Sequence, residues 1–116
     1  MQKRSSSSAV VRYSNKEKIE AAVLDYIGRL RSENPGIRRI IWFGSWINGI
    51  PGPKSDVDLC VILESSDKAF RDRIPGLLPE RFPTGLDIIP YTEEEFLNLE
   101  KEHPAWYRCL SAGREV

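Results

Sequence analysis

Residues 40–63 read IIWFGSWINGIPGPKSDVDLCVIL. Two runs of β-branched, aromatic and other apolar side chains, 37–43 and 57–63, are separated by turn-forming residues. This pattern predicts two strands, the first ending in a tight turn at Gly44 and the second following an irregular loop rich in Pro and Gly. The turn lies at the end of the first strand and Asp56 at the start of the second. A site built from both therefore requires antiparallel strands.

Asp56 and Asp58 are one residue apart where the second predicted strand begins. Strand side chains alternate between faces, so the two carboxylates project to one face and can converge on divalent ions. Ten residues separate Ser45 from Asp56. Gly44 and Ser45 follow a strand and offer backbone N–H groups and a hydroxyl to phosphate oxygens. The combination predicts a metal-dependent phosphoryl-transfer site.

In the alternative interpretation these residues have structural roles only: Gly44 forms a turn, Asp56 caps a loop, and Asp58 is a solvent-exposed edge residue. Asp58 argues against this alternative, because an acid inside an apolar strand is costly unless it is paired or binds a metal.

Asp87 is the best candidate for a third carboxylate, since it is the acid within the apolar run 85–91. About twenty residues separate Leu63 from Thr84, enough for a crossover connection and so for a third strand parallel to the second. Parallel pairing would bring Asp87 beside the other two acids, and an oxygen-only cluster suits Mg²⁺ or Mn²⁺. An acid at a solvated sheet end is the alternative for this position.

These residues resemble the nucleotidyltransferase fold of the DNA polymerase beta superfamily, and especially its minimal members, the MNT-type antitoxins paired with HEPN-domain toxins. The similarity runs from about Ile40 to Tyr91. It implies an α/β (α+β) fold with a small mixed sheet of about three to four strands and helices packed mainly on one face. Many relatives carry an Arg where this chain has Asn48, which removes an Arg-mediated phosphate contact from this turn.

The resemblance also assigns roles to individual residues. Gly44 and Ser45 would bind the nucleotide phosphates. The carboxylates that would hold Mg²⁺ (or Mn²⁺) and serve catalysis are Asp56, Asp58 and Asp87.

The function that the resemblance implies is transfer of a nucleoside monophosphate, AMP from ATP, to a hydroxyl of a partner protein. The chain would act as antitoxin to a HEPN-domain toxin and would form a complex with it. Two alternatives stay open: a small-molecule, antibiotic-type nucleotidyltransferase, and a non-catalytic nucleotide- or protein-binding module. None of the residues selects the base of the nucleotide.

Length and charge fit one small domain without an electrostatic drive toward polyanions. The chain has 116 residues, with 17 Lys plus Arg against 17 Asp plus Glu. This balance disfavours a nucleic-acid acceptor and an anionic membrane. Residues 1–13 contain a serine run and are predicted to be a flexible tail, and residues 14–116 to be a single nucleotidyltransferase domain. No signal-type apolar segment follows Met1, which predicts a cytoplasmic protein.

Along the chain, helices are predicted before the first strand, between the second and third strands, and after the third. A capping-box pattern at Ser14 starts an amphipathic helix that ends by Asn34, and Thr92 starts another. Residues 65–78 can form a helix that Pro75-Gly76 would break or kink. A final helix has Pro104 in its first turn. It carries Trp106 and Tyr107, which are either core anchors or a partner surface.

Overall fold

The structure, a computed structural model, describes residues 2–52 and 55–116, with side chains described from residue 16 onward. The elements in chain order are α1 Gln2–Glu33, β1 Ile37–Phe43, α2 Ser45–Asn48, β2 Val57–Leu63, α3 Phe70–Arg73, β3 Leu86–Thr92, α4 Glu93–Glu102, α5 Pro104–Ser111 and β4 Arg114–Glu115. The predicted tail, residues 1–13, and the predicted helix start at Ser14 lie outside the residues described in full. Both stay predictions.

The strands form one four-stranded mixed sheet in the order β3-β2-β1-β4. β1 pairs antiparallel with β2, and β2 pairs parallel with β3, as the sequence predicts. β4 pairs antiparallel with β1 over two residues. The α+β class with three to four strands is therefore confirmed, and β3 forms one outer edge of the sheet.

Helices cover both faces of the sheet, so the prediction that they pack mainly on one face is wrong in this detail. α1 covers one face, where its apolar stripe meets alternate residues of β1 and β2 such as Ile40 and Leu59. α4 and α5 cover the other face, where Phe96 and Leu110 meet Ile41. The physical reason is that successive residues of both central strands are apolar and buried, so each face needs a cover.

This two-sided burial supplies most of the stabilisation and fixes the register. Each fully buried Val, Leu or Ile side chain contributes roughly 1.5–3 kcal/mol. A slip of one residue would exchange the two faces of a strand and place carboxylates in the core. The apolar runs therefore hold the charged residues at the end of the sheet, where β2 and β3 begin.

α3 is shorter than predicted and ends at Arg73, just before the break expected at Pro75-Gly76. The Arg73 side chain is buried and joins three elements. It donates to the carbonyl oxygen of Pro90 on β3 at 3.0 Å and makes two hydrogen bonds, 2.6 and 3.1 Å, to the Glu95 carboxylate on α4. This contact packs α3 against β3, the edge strand of the site.

The helices that follow β3 agree with their sequence signals. Thr92 and Glu95 form the predicted capping box of α4, with hydrogen bonds in both directions. α5 has Pro104 in its first turn. Within the described residues, no helix combines the length and the apolar character needed to cross a membrane.

Candidate active site

The turn after β1 depends on a glycine. Gly44 has φ 88° and ψ −161°, a backbone region that essentially only glycine occupies. Its carbonyl oxygen accepts hydrogen bonds from the N–H groups of Ile47 and Asn48, which close the single turn of α2. A Cβ atom at this position would overlap the Oδ2 atom of Asp58. The backbone of the Gly-Ser turn and the Asp58 carboxylate are therefore in direct contact.

Strand pairing brings the acids to this turn. Asp58 on β2 pairs with Phe43 on β1 and with Asp87 on β3. The side chains of Asp58 and Asp87 project to the same face, because residues at paired register positions share a face. The predicted neighbourhood of Gly44, Asp58 and Asp87 is thus present at one end of the sheet. Asp58 is half-buried, and Asp87, on the edge strand, is exposed.

Asp56 lies at the same end, one residue before β2, and is exposed. Its carboxylate packs against Gly85, where a Cβ atom would overlap it. The next residue, Val57, donates its N–H to the carbonyl oxygen of Gly85 at 2.9 Å. Ser45 is half-buried as the first residue of α2. All five predicted site residues therefore lie at one sheet end.

The carboxylates repel one another, and Asp58 shows the effect. Burial raises the pKa of Asp58 from 3.8 to about 6, with further contributions from the charge of Asp87, a hydrogen bond with it and the charge of Asp56. Asp58 thus resists ionisation in the absence of a cation. A bound cation would relieve this repulsion, which is the electrostatic character of a metal-binding carboxylate group.

The donor chemistry fits Mg²⁺ or Mn²⁺, because all the side-chain donors are carboxylate oxygens. Within residues 16–52 and 55–116, however, no three His, Cys, Asp or Glu side chains are grouped so that together they could hold a metal ion. Asp58 and Asp87 form the close pair, and Asp56 interacts with Asp58 more weakly. The pair would hold an ion, with Asp56 as the neighbouring third carboxylate.

The raised pKa of Asp58 leads to a prediction about stability without metal. An acid with a raised folded-state pKa contributes stability below its unfolded pKa, and this contribution is lost as pH rises through about 6. We therefore expect Asp58→Asn to raise the Tm by a few degrees at pH 8 in EDTA and to change it little at pH 3.5.

Asp25→Asn is the matched control, because Asp25 is exposed on α1 and its ion pair with exposed Arg29 contributes little to stability. Thermal unfolding at both pH values gives the comparison. Equal Tm values for Asp58→Asn and the unchanged protein at pH 8 would contradict the raised pKa of Asp58.

Gly44 gives a second prediction. Gly44→Ala is expected to destabilise the protein by about 1–3 kcal/mol, because Ala is strained in this backbone region and its Cβ would displace the Asp58 carboxylate. Gly28→Ala on α1 is the control: nothing lies within 4 Å of its Cβ position, and Ala in a helix interior gains roughly 0.5–1 kcal/mol. Urea unfolding of both variants measures the difference. Equal effects would remove the special role of Gly44.

Three residues at the site were not predicted from the sequence as contributors: Trp46, Thr84 and Gly85. Gly85 precedes Asp87 by two residues, so the predicted parallel pairing could have placed it opposite Asp56. Trp46 and Thr84 both donate hydrogen bonds to the backbone carbonyl oxygen of Ser55, and contacts to a backbone atom leave no local sequence pattern.

Trp106 and Tyr107 on α5 are half-buried and pack against the core cluster on the face of the sheet that α4 and α5 cover. Trp106 meets Phe43 edge to face at 5.7 Å between ring centroids, and its Nε1–H donates to the Tyr91 hydroxyl at 3.0 Å. Tyr107 packs against Phe96. These contacts favour the core-anchor alternative for both residues.

A Gly-Ser turn and carboxylates gathered at one end of a mixed sheet offer the donors that a metal-dependent phosphoryl-transfer site needs. Residues 24–107 match the family described as "Nucleotidyltransferase domain". The match covers well over half of the chain and includes all five predicted site residues, so the chain belongs to this family. Membership supports nucleotidyl transfer as the general activity. No curated protein and no solved structure matches the chain.

Proposed function

We propose that the protein transfers AMP from ATP to a hydroxyl of a partner protein, and that the partner is a HEPN-type toxin that this modification silences. The observation that carries the enzymatic part is the register pair Asp58–Asp87 beside Gly44. The antitoxin role and the partner rest on the resemblance to MNT-type antitoxins. A cytoplasmic location belongs to the same proposal.

The layout of the site suggests which substrate each residue serves. Gly44 and Ser45 follow β1, an inner strand, whereas Asp87 lies on β3 at the outer edge of the sheet. The triphosphate would lie along the Gly-Ser turn, where the Ser45 hydroxyl donates to a phosphate oxygen. The acceptor hydroxyl would approach from the β3 side and meet Asp87.

The proposed reaction is an in-line displacement at the α-phosphorus. The acceptor oxygen bonds to this phosphorus, the bond to the bridging oxygen of the β-phosphate breaks, pyrophosphate leaves, and the hydroxyl proton passes to Asp87. Mg²⁺ held by the carboxylates would neutralise the pyrophosphate and favour loss of the hydroxyl proton. Asp58, half-buried beside Gly44, would hold the ion next to the Gly-Ser turn, where the triphosphate would bind.

The exposure of the site favours a macromolecular acceptor. Asp56 and Asp87 are exposed, and the nearby loop presents Ile50 with 95% of its surface accessible. A partner that covers this loop would exclude water from the acids and bury an apolar side chain, which contributes roughly 1.5–3 kcal/mol. Small-molecule sites, in contrast, are usually concave and bury most of the ligand.

The test uses the purified protein, a co-expressed HEPN-type toxin, α-labelled ATP and Mg²⁺. Intact mass and peptide mapping should show AMP on a Tyr, Ser or Thr of the toxin, with loss of its ribonuclease activity, and Asp58→Asn should abolish both. Silencing without a mass increase, equally strong with Asp58→Asn, would instead show occlusion by a non-catalytic module. A toxin that is neither modified nor silenced would overturn the choice of partner.

A further inference from the structure

The peptide group before Asp56 is held by two side chains. The carbonyl oxygen of Ser55 accepts a hydrogen bond from the Trp46 Nε1–H at 3.1 Å and another from the Thr84 hydroxyl at 3.3 Å. Trp46 belongs to α2, and Thr84 precedes β3. The carbonyl group of Ser55 therefore links α2, the loop before β2 and the segment that leads into β3.

The peptide group after Asp56 is held as well. The N–H of Val57 donates to the carbonyl oxygen of Gly85, and the Asp56 carboxylate packs against the same glycine. Asp56 is exposed and precedes the regular strand, where a backbone is normally free to move. Anchors on both sides fix its position, and one of the two anchors reaches back to α2.

Trp46 directly follows Ser45 in α2, and its ring packs partly buried against the core under α1. The packed ring leaves its N–H with little freedom to move away from Ser55. A rigid indole with one fixed donor can thus transmit the position of α2 to the backbone of Asp56. An apolar ring without this donor would fill the same space and lose the link.

We propose that Trp46 is a positioning residue that fixes the Asp56 carboxylate for cation binding and couples it to the phosphate-binding turn. The inference rests on the proposed function in taking Asp56 as a metal ligand and Ser45 as a phosphate ligand. It predicts that loss of the Trp46 donor weakens cation binding even when no nucleotide is present.

The experiment counts free Mn²⁺ by electron paramagnetic resonance during titration of the protein without nucleotide, and measures ATP affinity by calorimetry at saturating Mg²⁺. Trp46→Phe should weaken both Mn²⁺ and ATP binding by about fivefold, the effect of one lost hydrogen bond. Ser45→Ala should weaken ATP binding by a similar factor and leave Mn²⁺ binding unchanged. The two neighbouring residues of α2 are thereby separated by their effect on the metal.

Two further variants control for general structural effects. Trp106→Phe loses an indole hydrogen bond elsewhere, to Tyr91, and should leave Mn²⁺ affinity unchanged. Thr84→Val keeps the shape of the side chain and removes the second hydrogen-bond donor to the Ser55 carbonyl oxygen, so it should also weaken Mn²⁺ binding. If Trp46→Phe does not fold, the result with Thr84→Val decides the test.

Wild-type Mn²⁺ affinity in a folded Trp46→Phe protein would overturn the inference. The same result in Thr84→Val would overturn it should Trp46→Phe be unfolded. Both readouts are independent of the acceptor, so failure to modify a toxin would leave this result intact.

Discussion

Asp58→Asn is expected to weaken Mg²⁺-dependent ATP binding at least about 100-fold, which corresponds to roughly 2.7 kcal/mol. Asp58 is the carboxylate in contact with the Gly-Ser turn, and its pKa is raised by burial and by its two acidic neighbours. Asn keeps the size of the side chain but removes the charge that a divalent ion needs. Calorimetric titration of ATP with and without Mg²⁺ measures the loss.

The same variant carries its own control for folding. Without metal at pH 8, Asp58→Asn should be more stable than the unchanged protein, so weaker binding cannot result from unfolding. Asp56→Asn should weaken binding in the same direction. ATP affinity that is equal in all three proteins, and independent of Mg²⁺, would show that the nucleotide does not use these carboxylates.

Asp87→Asn is expected to reduce transfer by on the order of 10³-fold, about 4 kcal/mol in the barrier, while ATP affinity changes less than about threefold. Asp87 lies on the edge strand β3, on the side from which an acceptor would approach. The Gly-Ser turn, which would hold the triphosphate, follows β1, two strands away. The separation of roles follows from this layout. Pyrophosphate release from ATP, with water as the acceptor, reports turnover without knowledge of the partner.

Glu93→Gln is the matched control for Asp87→Asn. It removes an exposed carboxylate just beyond the other end of β3, where Glu93 pairs with exposed Arg38, and it should change turnover little. If Asp87→Asn turned over at the wild-type rate, Asp87 would have no role in transfer. If it lost ATP binding to the same extent as Asp58→Asn, the proposed separation of nucleotide and acceptor sides would be wrong.

The strand pairings were predictable because two local facts determine them. Gly44 at the end of one strand and Asp56 at the start of the next require antiparallel strands, and the long connection to Thr84 allows a parallel third strand. Both pairings are confirmed. The pairing of Asp58 with Asp87 then follows from register, which the apolar faces of both strands fix.

The distribution of helices over the two faces was not predictable in the same way. β1 and β2 are apolar at nearly every position, so their pattern does not say which helix covers which face. The burial of Arg73 was likewise hidden, because its partners Pro90 and Glu95 are 17 and 22 residues away. From the sequence alone, a charged residue in a short helix is expected to be exposed to solvent, because its distant hydrogen-bond acceptors are not known.

At the site, residue types were predictable and supporting contacts were not. Gly44, Ser45 and the three acids carry the chemistry in their side chains and spacing. Trp46 and Thr84 act through one backbone carbonyl, that of Ser55, which any residue could supply. Hydrogen bonds to backbone atoms leave no signature in the sequence of the acceptor, so only the three-dimensional arrangement identifies them.

The structure also offers another place where a ligand could bind. A cleft of about 440 Å³ lies between α1 and the segment after α3, and its lining includes Tyr26, Arg29, Leu77 and Arg81. It shares no residue with the carboxylate site. Its two arginines are balanced by Glu33 and Glu80 in the same lining, so its charge gives no preference for phosphates, and it is the alternative location against which the carboxylate site is tested.

Crystals grown with Mn²⁺ and a non-hydrolysable ATP analogue would show where the ion and the nucleotide bind, because the anomalous signal of Mn²⁺ locates the ion. We expect an anomalous peak beside the carboxylates of Asp58 and Asp87, with the triphosphate on Gly44 and Ser45. An analogue bound in the cleft lined by Arg29 and Arg81, with no peak near the acids, would contradict it.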